Sequence, residues 1–245
     1  ERREMDRTAV AAKRFGVSFN DAATVMEKSL RVFGITGPAM MNTLYNSAVA
    51  LGEAPSRMTK NFIQSVDILA QYSGPRAIQV LQQLTAIGRQ TGIQIEQLTS
   101  VARQFDTFED AASSVSKLNA ILGGAYFNSI QMLNATEGQR LQLLRAGLDA
   151  TNRSWESLDR WERKAFAAAA GFKSMSIAAA FFQGNMAKVD ELTQKAAAQA
   201  DMQRKLIEMG QGVVSIMDQM KRIMEDAGGV ADELLPIFRG IVNVM

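Results

Sequence analysis

The chain has 245 residues, 47% hydrophobic and 21% charged, with 27 Lys and Arg against 25 Asp and Glu for a net charge of +2. That balance supports a sizeable core and excludes both a disordered chain and a protein drawn to nucleic acid or a membrane surface by long-range attraction. Cysteine and histidine are both absent, which removes disulfides, thiolate chemistry, Cys-based zinc sites, and the commonest general base and transition-metal ligand.

The expected fold is all-α. Only Pro38, Pro55, Pro75 and Pro236 interrupt the chain, so helices can run long between them. Val, Ile, Thr and aromatic residues nowhere gather into alternating stretches, so no strand is predicted. The first residues, Glu1-Arg2-Arg3-Glu4, and the last, Ile241-Val242-Asn243-Val244-Met245, suggest a piece of a longer polypeptide. No signal peptide is visible. Three regions are expected: a helical bundle over 1–122, a second helical region over 123–185, and a long heptad-patterned helix over 186–245.

In chain order, Ser18 with Asp21 caps a helix through Val25, Leu30 and Val32 that Gly34 stops. Gly37-Pro38 opens a second, carrying Met41, Leu44 and Val49 to Gly52, since proline is tolerated in a first turn. Pro55-Ser56 starts a third with Phe62, Ile63, Val66 and Leu69. Gly74-Pro75 starts a fourth with Ile78, Leu81, Leu84 and Ile87, ending near Gly88 or Gly92. Thr107 with Asp110 caps a helix along Ala111, Val115, Leu118 and Leu122, which Gly123-Gly124 stops. Gly16-Val17-Ser18-Phe19 and Gly92-Ile93-Gln94-Ile95 both precede an amphipathic helix and are each followed by a valine, Val25 or Val101. The match is too thin to support a solenoid.

Beyond the glycine pair, Thr136 and Gln139 form a capping-box pattern ahead of Leu141, Leu143, Leu144 and Leu148. Ser154 is expected to cap the next helix, with Trp155, Leu158, Glu162 and Phe166 near one face and Trp161, Ala165 and Ala168 on its neighbour. Both tryptophans are expected in the core. The mixed run Arg160 to Lys164 reads as a solvated face. The apolar run Ala165 to Phe182 contains Lys173, Ser174 and Ser176 and is mostly alanine, so it predicts a tightly packed helix rather than a membrane span.

The last region differs in kind. From Met202, apolar residues alternate at spacings of four and three: Met202, Leu206, Met209, Val213, Ile216, Met220, Ile223, Ala227, Val230, Leu234, Ile237, Ile241 and Val244. A sustained period of 3.5 makes left-handed coiled coils, so these are the candidate self-association residues. Ile and Val recur at the d positions, and Met217, Met224, Ala231 and Phe238 widen the stripe. That pattern favours three strands or more over two. Gly228-Gly229 and Pro236 predict a kink or break near the end. The structural alternative is a long helix lying against its own chain's body.

Few residues offer chemistry. No Gly-x4-Gly-Lys-Ser/Thr phosphate loop occurs, and the glycine pair at 123–124 is followed by Ala125-Tyr126-Phe127 with no lysine. The adjacent carboxylates Asp190-Glu191 and Glu225-Asp226 diverge on a helix and read as solvated. Glu156-Ser157 matches the dipeptide of the helical lytic transglycosylases. The Gly-Leu-Met-Gln and Ala-Tyr-Asn-Ala-Gly type stretches that line their cleft are missing, so no enzyme is expected. No catalytic residue, cofactor, metal or small-molecule ligand is assigned.

The stretch from Thr107 to Asn185 carries a family resemblance. It contains Asp110-Ala111-Ala112, then Lys117-Leu118-Asn119-Ala120-Ile121-Leu122-Gly123-Gly124, then Asn128-Ser129. Leu158-Asp159-Arg160-Trp161-Glu162-Arg163-Lys164-Ala165 and Ala170-Gly171-Phe172 follow. This resembles the tail tape-measure proteins of contractile-tailed and related bacteriophages, in which a Leu-Asn-x-x-Leu-Gly-Gly helix end precedes a helix with an aromatic-Glu-Arg-Lys-Ala core. Gly-Val-Ser-Phe at Gly16 and Phe-Gly-Ile-Thr-Gly-Pro at Phe33 are similar more loosely. The resemblance covers about a third of the chain, and its motifs are packing motifs. It implies a structural virion protein in the tail lumen or tip, made in the host cytoplasm, that sets tail-tube length and assists genome delivery. The implied partners are further copies of itself, as a trimer, the tail-tube and tail-tip or baseplate hub proteins, and the DNA terminus or host envelope at ejection. A helical oligomeric scaffold, a secretion-apparatus protein and a membrane-active helical protein are the alternatives.

Overall fold

The fold follows from where the chain caps and breaks its helices. A computed structural model describes residues 2–198 and 201, with side chains from Thr8 onward. Its elements are α1 (Arg2–Phe15), α2 (Phe19–Phe33), α3 (Gly37–Leu51), α4 (Pro55–Leu69), α5 (Gly74–Thr91) and α6 (Ile95–Ala102). A 3-10 turn, Arg103–Phe105, leads to α7 (Phe108–Leu122), α8 (Ser129–Asn134) and α9 (Glu137–Asp149). A second 3-10 turn, Trp155–Ser157, precedes α10 (Arg160–Ala169) and α11 (Met175–Gln183). A twelfth helix, α12, spans 186–198. The protein is all-α: no strand occurs among the described residues.

The boundaries are set by local chemistry. Ser18 accepts from the Asp21 amide at 3.0 Å, and Thr107 accepts from the Asp110 amide at 3.1 Å, each meeting one of the orphan donors of a helix start. Pro38, Pro55 and Pro75 each lie in the first turn of a helix, where the missing N–H would have no partner in any case. Gly34 ends α2 with φ 65°, its amide bonded to Leu30 O and that of Ile35 to Ser29 O. Gly92, rather than Gly88, ends α5. The likeness between the Gly16 and Gly92 blocks proves to be a shared junction: each glycine has a left-handed φ, 64° and 71°, and a new helix starts three residues on. Val25 and Val101 are both buried.

Packing proceeds in sequence at first and then closes on one helix. α2 packs on α1, α3 and α4, and α4 in turn on α5. The 18-residue α5 also touches α3, α6, α9 and α11. Accordingly it buries Ala77, Ile78, Val80, Leu81, Leu84, Ala86 and Ile87, an almost all-round apolar surface that suits only a central helix. Its one buried amide, Gln82, donates to Ser47 Oγ of α3 at 2.8 Å, so no polar group is stranded there.

Two expectations for the second region need correction. Ser154 caps the short 3-10 turn, accepting from the Ser157 amide, while Asp159 caps α10 through the amides of Trp161 and Glu162. Trp155, Leu158, Glu162 and Phe166 therefore do not share one helix. The run Ala165 to Phe182 is not one helix either. It breaks after Ala169, turns at Gly171 with φ 88°, and resumes at Met175 under a Ser174 cap. Among the described residues no helix is long and apolar enough to cross a membrane.

α12 buries Val189, Leu192 and Ala196 in the same hydrophobic core as α1–α11. To residue 198, then, this helix lies against its own chain. The heptad residues Met202 to Val244, the expected break at Gly228-Gly229 and Pro236, and Glu225-Asp226 all lie outside the described residues.

Candidate functional site

The segment that carries the family resemblance is organised around one asparagine. Asn119 sits in the last turns of α7, and Gly123 follows that helix with φ 74°, a left-handed position that a side chain disfavours. The chain then doubles back, and the Asn119 side chain catches it. Oδ1 accepts from the amides of Tyr126 and Phe127 at 2.9 and 2.8 Å, while Nδ2 donates to Phe127 O at 2.9 Å. Asn128 then caps α8 by accepting from the Gln131 amide. The Leu-Asn-x-x-Leu-Gly-Gly pattern is thus a helix stop plus a side chain that satisfies the returning loop. Leu118 and Leu122 supply the buried face of α7.

The returning loop delivers Phe127 to an aromatic cluster. Trp155 is 3% exposed and stacks on Phe182 with centroids 5.0 Å apart and planes at 10°. Phe166 meets Phe182 edge-on at 5.3 Å, and Phe172 and Phe181 close the far side. Phe127 approaches Phe166 at 6.2 Å. The backbone of α9 comes so near Phe127 that a Cβ at Gly147 would overlap its ring. The core expectation holds for Trp155 but fails for Trp161. That indole is 69% exposed, with Arg160 and Lys164 at 5.7 and 5.9 Å from the ring. Glycine, alanine and phenylalanine spacing gave no sign of this cluster, because its members come from two loops, a 3-10 turn and two helices.

A second site of buried chemistry is structural. Arg140 of α9 is almost fully buried and donates to the carbonyls of Met132, Leu133 and Ala102, at 2.9, 3.1 and 3.0 Å, and to the Asp106 carboxylate. One side chain so ties α6, α8 and α9 together. Tyr72 donates to the buried Glu137 at 2.8 Å, and burial together with that carboxylate pushes the Tyr72 hydroxyl far above its ordinary value. A buried, hydrogen-bonded network of this kind specifies geometry; it offers no proton at neutral pH. Nothing in the sequence singled out Arg140 or Glu137, which lie in an ordinary capping-box helix.

Glu156, of the Glu156-Ser157 dipeptide, is held as a hydrogen-bonded carboxylate. It is exposed, Gln183 donates to it at 2.9 Å, and this bond above all, with the local backbone and Ser154, holds its carboxyl below the usual range. A general acid for glycoside cleavage needs the opposite shift. The cavity beside it, about 450 Å³, is lined by Arg145, Asp149, Arg153 and Trp155. Its cations are already matched: Arg145 pairs with Asp149 at 3.1 Å and Arg153 with Glu162 at 2.6 Å. Glu162 also accepts from the Asp159 amide at 2.8 Å. Asp190 accepts from Gln142, and Glu191 pairs with Lys188. No cluster of carboxylates able to hold a metal ion occurs among the described residues.

No family model, curated protein or solved structure matches this chain.

Proposed function

We propose that this chain is a structural virion protein of the tail tape-measure class, acting in the tail lumen or tip to set tube length and assist genome delivery. One observation supports the reading. Several residues that carry the resemblance between Thr107 and Asn185, Asn119 foremost with Asn128, Asp159 and Glu162, are committed to helix junctions, which is what a structural segment requires and a catalytic one does not. In this reading the heptad residues from Met202 to Val244 associate copies of the chain, as a trimer, into a three-stranded coiled coil. The helical body joins the tail-tip hub and tube proteins, and the DNA terminus or host envelope is met at ejection. No cofactor takes part.

The physical basis of a ruler is the fixed rise of a helix, about 1.5 Å per residue. Removing two whole heptads, Val213 to Asp226, from the phage that encodes the chain preserves the stripe. Tails measured by electron microscopy should then shorten by about 20 Å. Unchanged tail length in infectious particles would remove the ruler role and leave a helical scaffold as the better description.

A further inference from the structure

A second cavity of about 450 Å³ lies among α4, the C-terminal turn of α5 and the loop into α6. Sites for small molecules fall in this size range. Its wall on α4 presents Arg57, Lys60, Asn61 and Gln64, positions that share one helix face. Arg89 reaches it from α5, and Ile93 and Ile95, both buried, form an apolar wall. The loop closes tightly: a Cβ at Gly88 would stand 2.8 Å from Ile93 O.

The charges here are not matched as they are beside Glu156. Glu53, its side chain only 10% exposed, is already committed to Arg57 at 3.6 Å and to the Ala54 amide at 2.9 Å. Lys60 and Arg89 have no carboxylate within ion-pair distance among the described residues, although Glu96 also lines the cavity. Arg57 is paired with Glu53, so Lys60 and Arg89 are the two cations left without a close carboxylate, and three cations against Glu53 and Glu96 give the lining one net positive charge. Arg89 is held in place by its guanidinium, which lies over Gly52 at the C-terminal end of α3, an end that favours a cation. Gln64 adds an amide donor, while Asn61 Nδ2 already donates to Thr85 Oγ1 at 3.3 Å. The cavity is rich in donors, net cationic, and bounded by two isoleucines.

We propose that this cavity binds a phosphate group, with the oxyanion held by Arg57, Lys60 and Arg89 and any carbon portion of a phosphate monoester laid against Ile93 and Ile95. This goes beyond the tape-measure reading and does not depend on it.

The test titrates the whole chain with inorganic phosphate and, separately, with adenosine 5′-monophosphate, following backbone amides by NMR and affinity by calorimetry. Saturable binding at about millimolar concentration or tighter is expected, with amide shifts confined to Gly88 and residues 92–96. Tighter binding of the nucleotide than of phosphate identifies an ester as the ligand, and equal binding identifies free phosphate. The double variant Lys60→Gln/Arg89→Gln, altered only at exposed positions, should weaken both by about tenfold or more. Shifts scattered over the surface, no saturation, or undiminished binding by the variant would overturn the proposal. The wild-type shift map decides the matter even if the variant folds poorly.

Discussion

Asn119 illustrates how much a single amide can hold. Replacing it with alanine removes three hydrogen bonds and leaves the buried Phe127 amide without a partner. The cost should be about 2–4 kcal/mol, read as a lower urea midpoint. Asn119→Asp keeps both acceptor contacts but sets a carboxylate oxygen against Phe127 O where Nδ2 donated, so it should recover only part of that loss. Gly147→Ala should cost about 1–3 kcal/mol through overpacking against Phe127, with a change in near-ultraviolet circular dichroism as the aromatic cluster shifts. Glu162 supplies a pH signature. Its bond from Arg153, then that from the Asp159 amide, lowers its folded pKa. Its contribution to stability is therefore full above the unfolded value and declines as pH falls through the folded one. Glu162→Gln should flatten the acid limb of stability against pH, below the ordinary glutamate range, and leave the neutral region unchanged in slope. At this scale the sequence exposed Asn119 only as part of a motif. What its side chain does depends on the return of the loop, eight residues later in the chain.

Among elements, the caps were the most legible feature. A cap is a contact within three or four residues, so Ser18, Thr107 and Thr136 announce themselves without reference to the rest of the fold. Thr136 and Gln139 form the full reciprocal box, and Thr136→Ala should cost about 1 kcal/mol, measured by denaturant titration against the parent. The two boundaries that sequence misplaced share a cause. Between Ser154 and Gln183 the chain is rich in alanine and aromatic residues that fit a helix interior equally well, so local propensity does not show where one helix stops. The packing of Trp155 on Phe182 and the turn at Gly171 decide it. Phe182→Ala should show this dependence, costing about 3–5 kcal/mol, with loss of α10 and α11 helicity beyond what one site explains.

Among the described residues the body depends on α5, which no local feature marks as central. Its apolar residues lie on nearly every side, and that surface has meaning only once α3, α4, α6, α9 and α11 surround it. The same holds for α12, whose buried Val189, Leu192 and Ala196 lie against their own chain; the heptad stripe beyond it lies outside the described residues. By itself the sequence determined the helical class, most helix starts and stops, and the lack of histidine and cysteine chemistry, because these follow from composition and from contacts a few residues long. Only the tertiary structure decided that Trp155 is buried and Trp161 exposed, that Arg140 joins three helices, and that three cations from α4 and α5 face one cavity. Those outcomes depend on which helix faces meet, and residues distant in sequence become neighbours only when the chain has closed around α5.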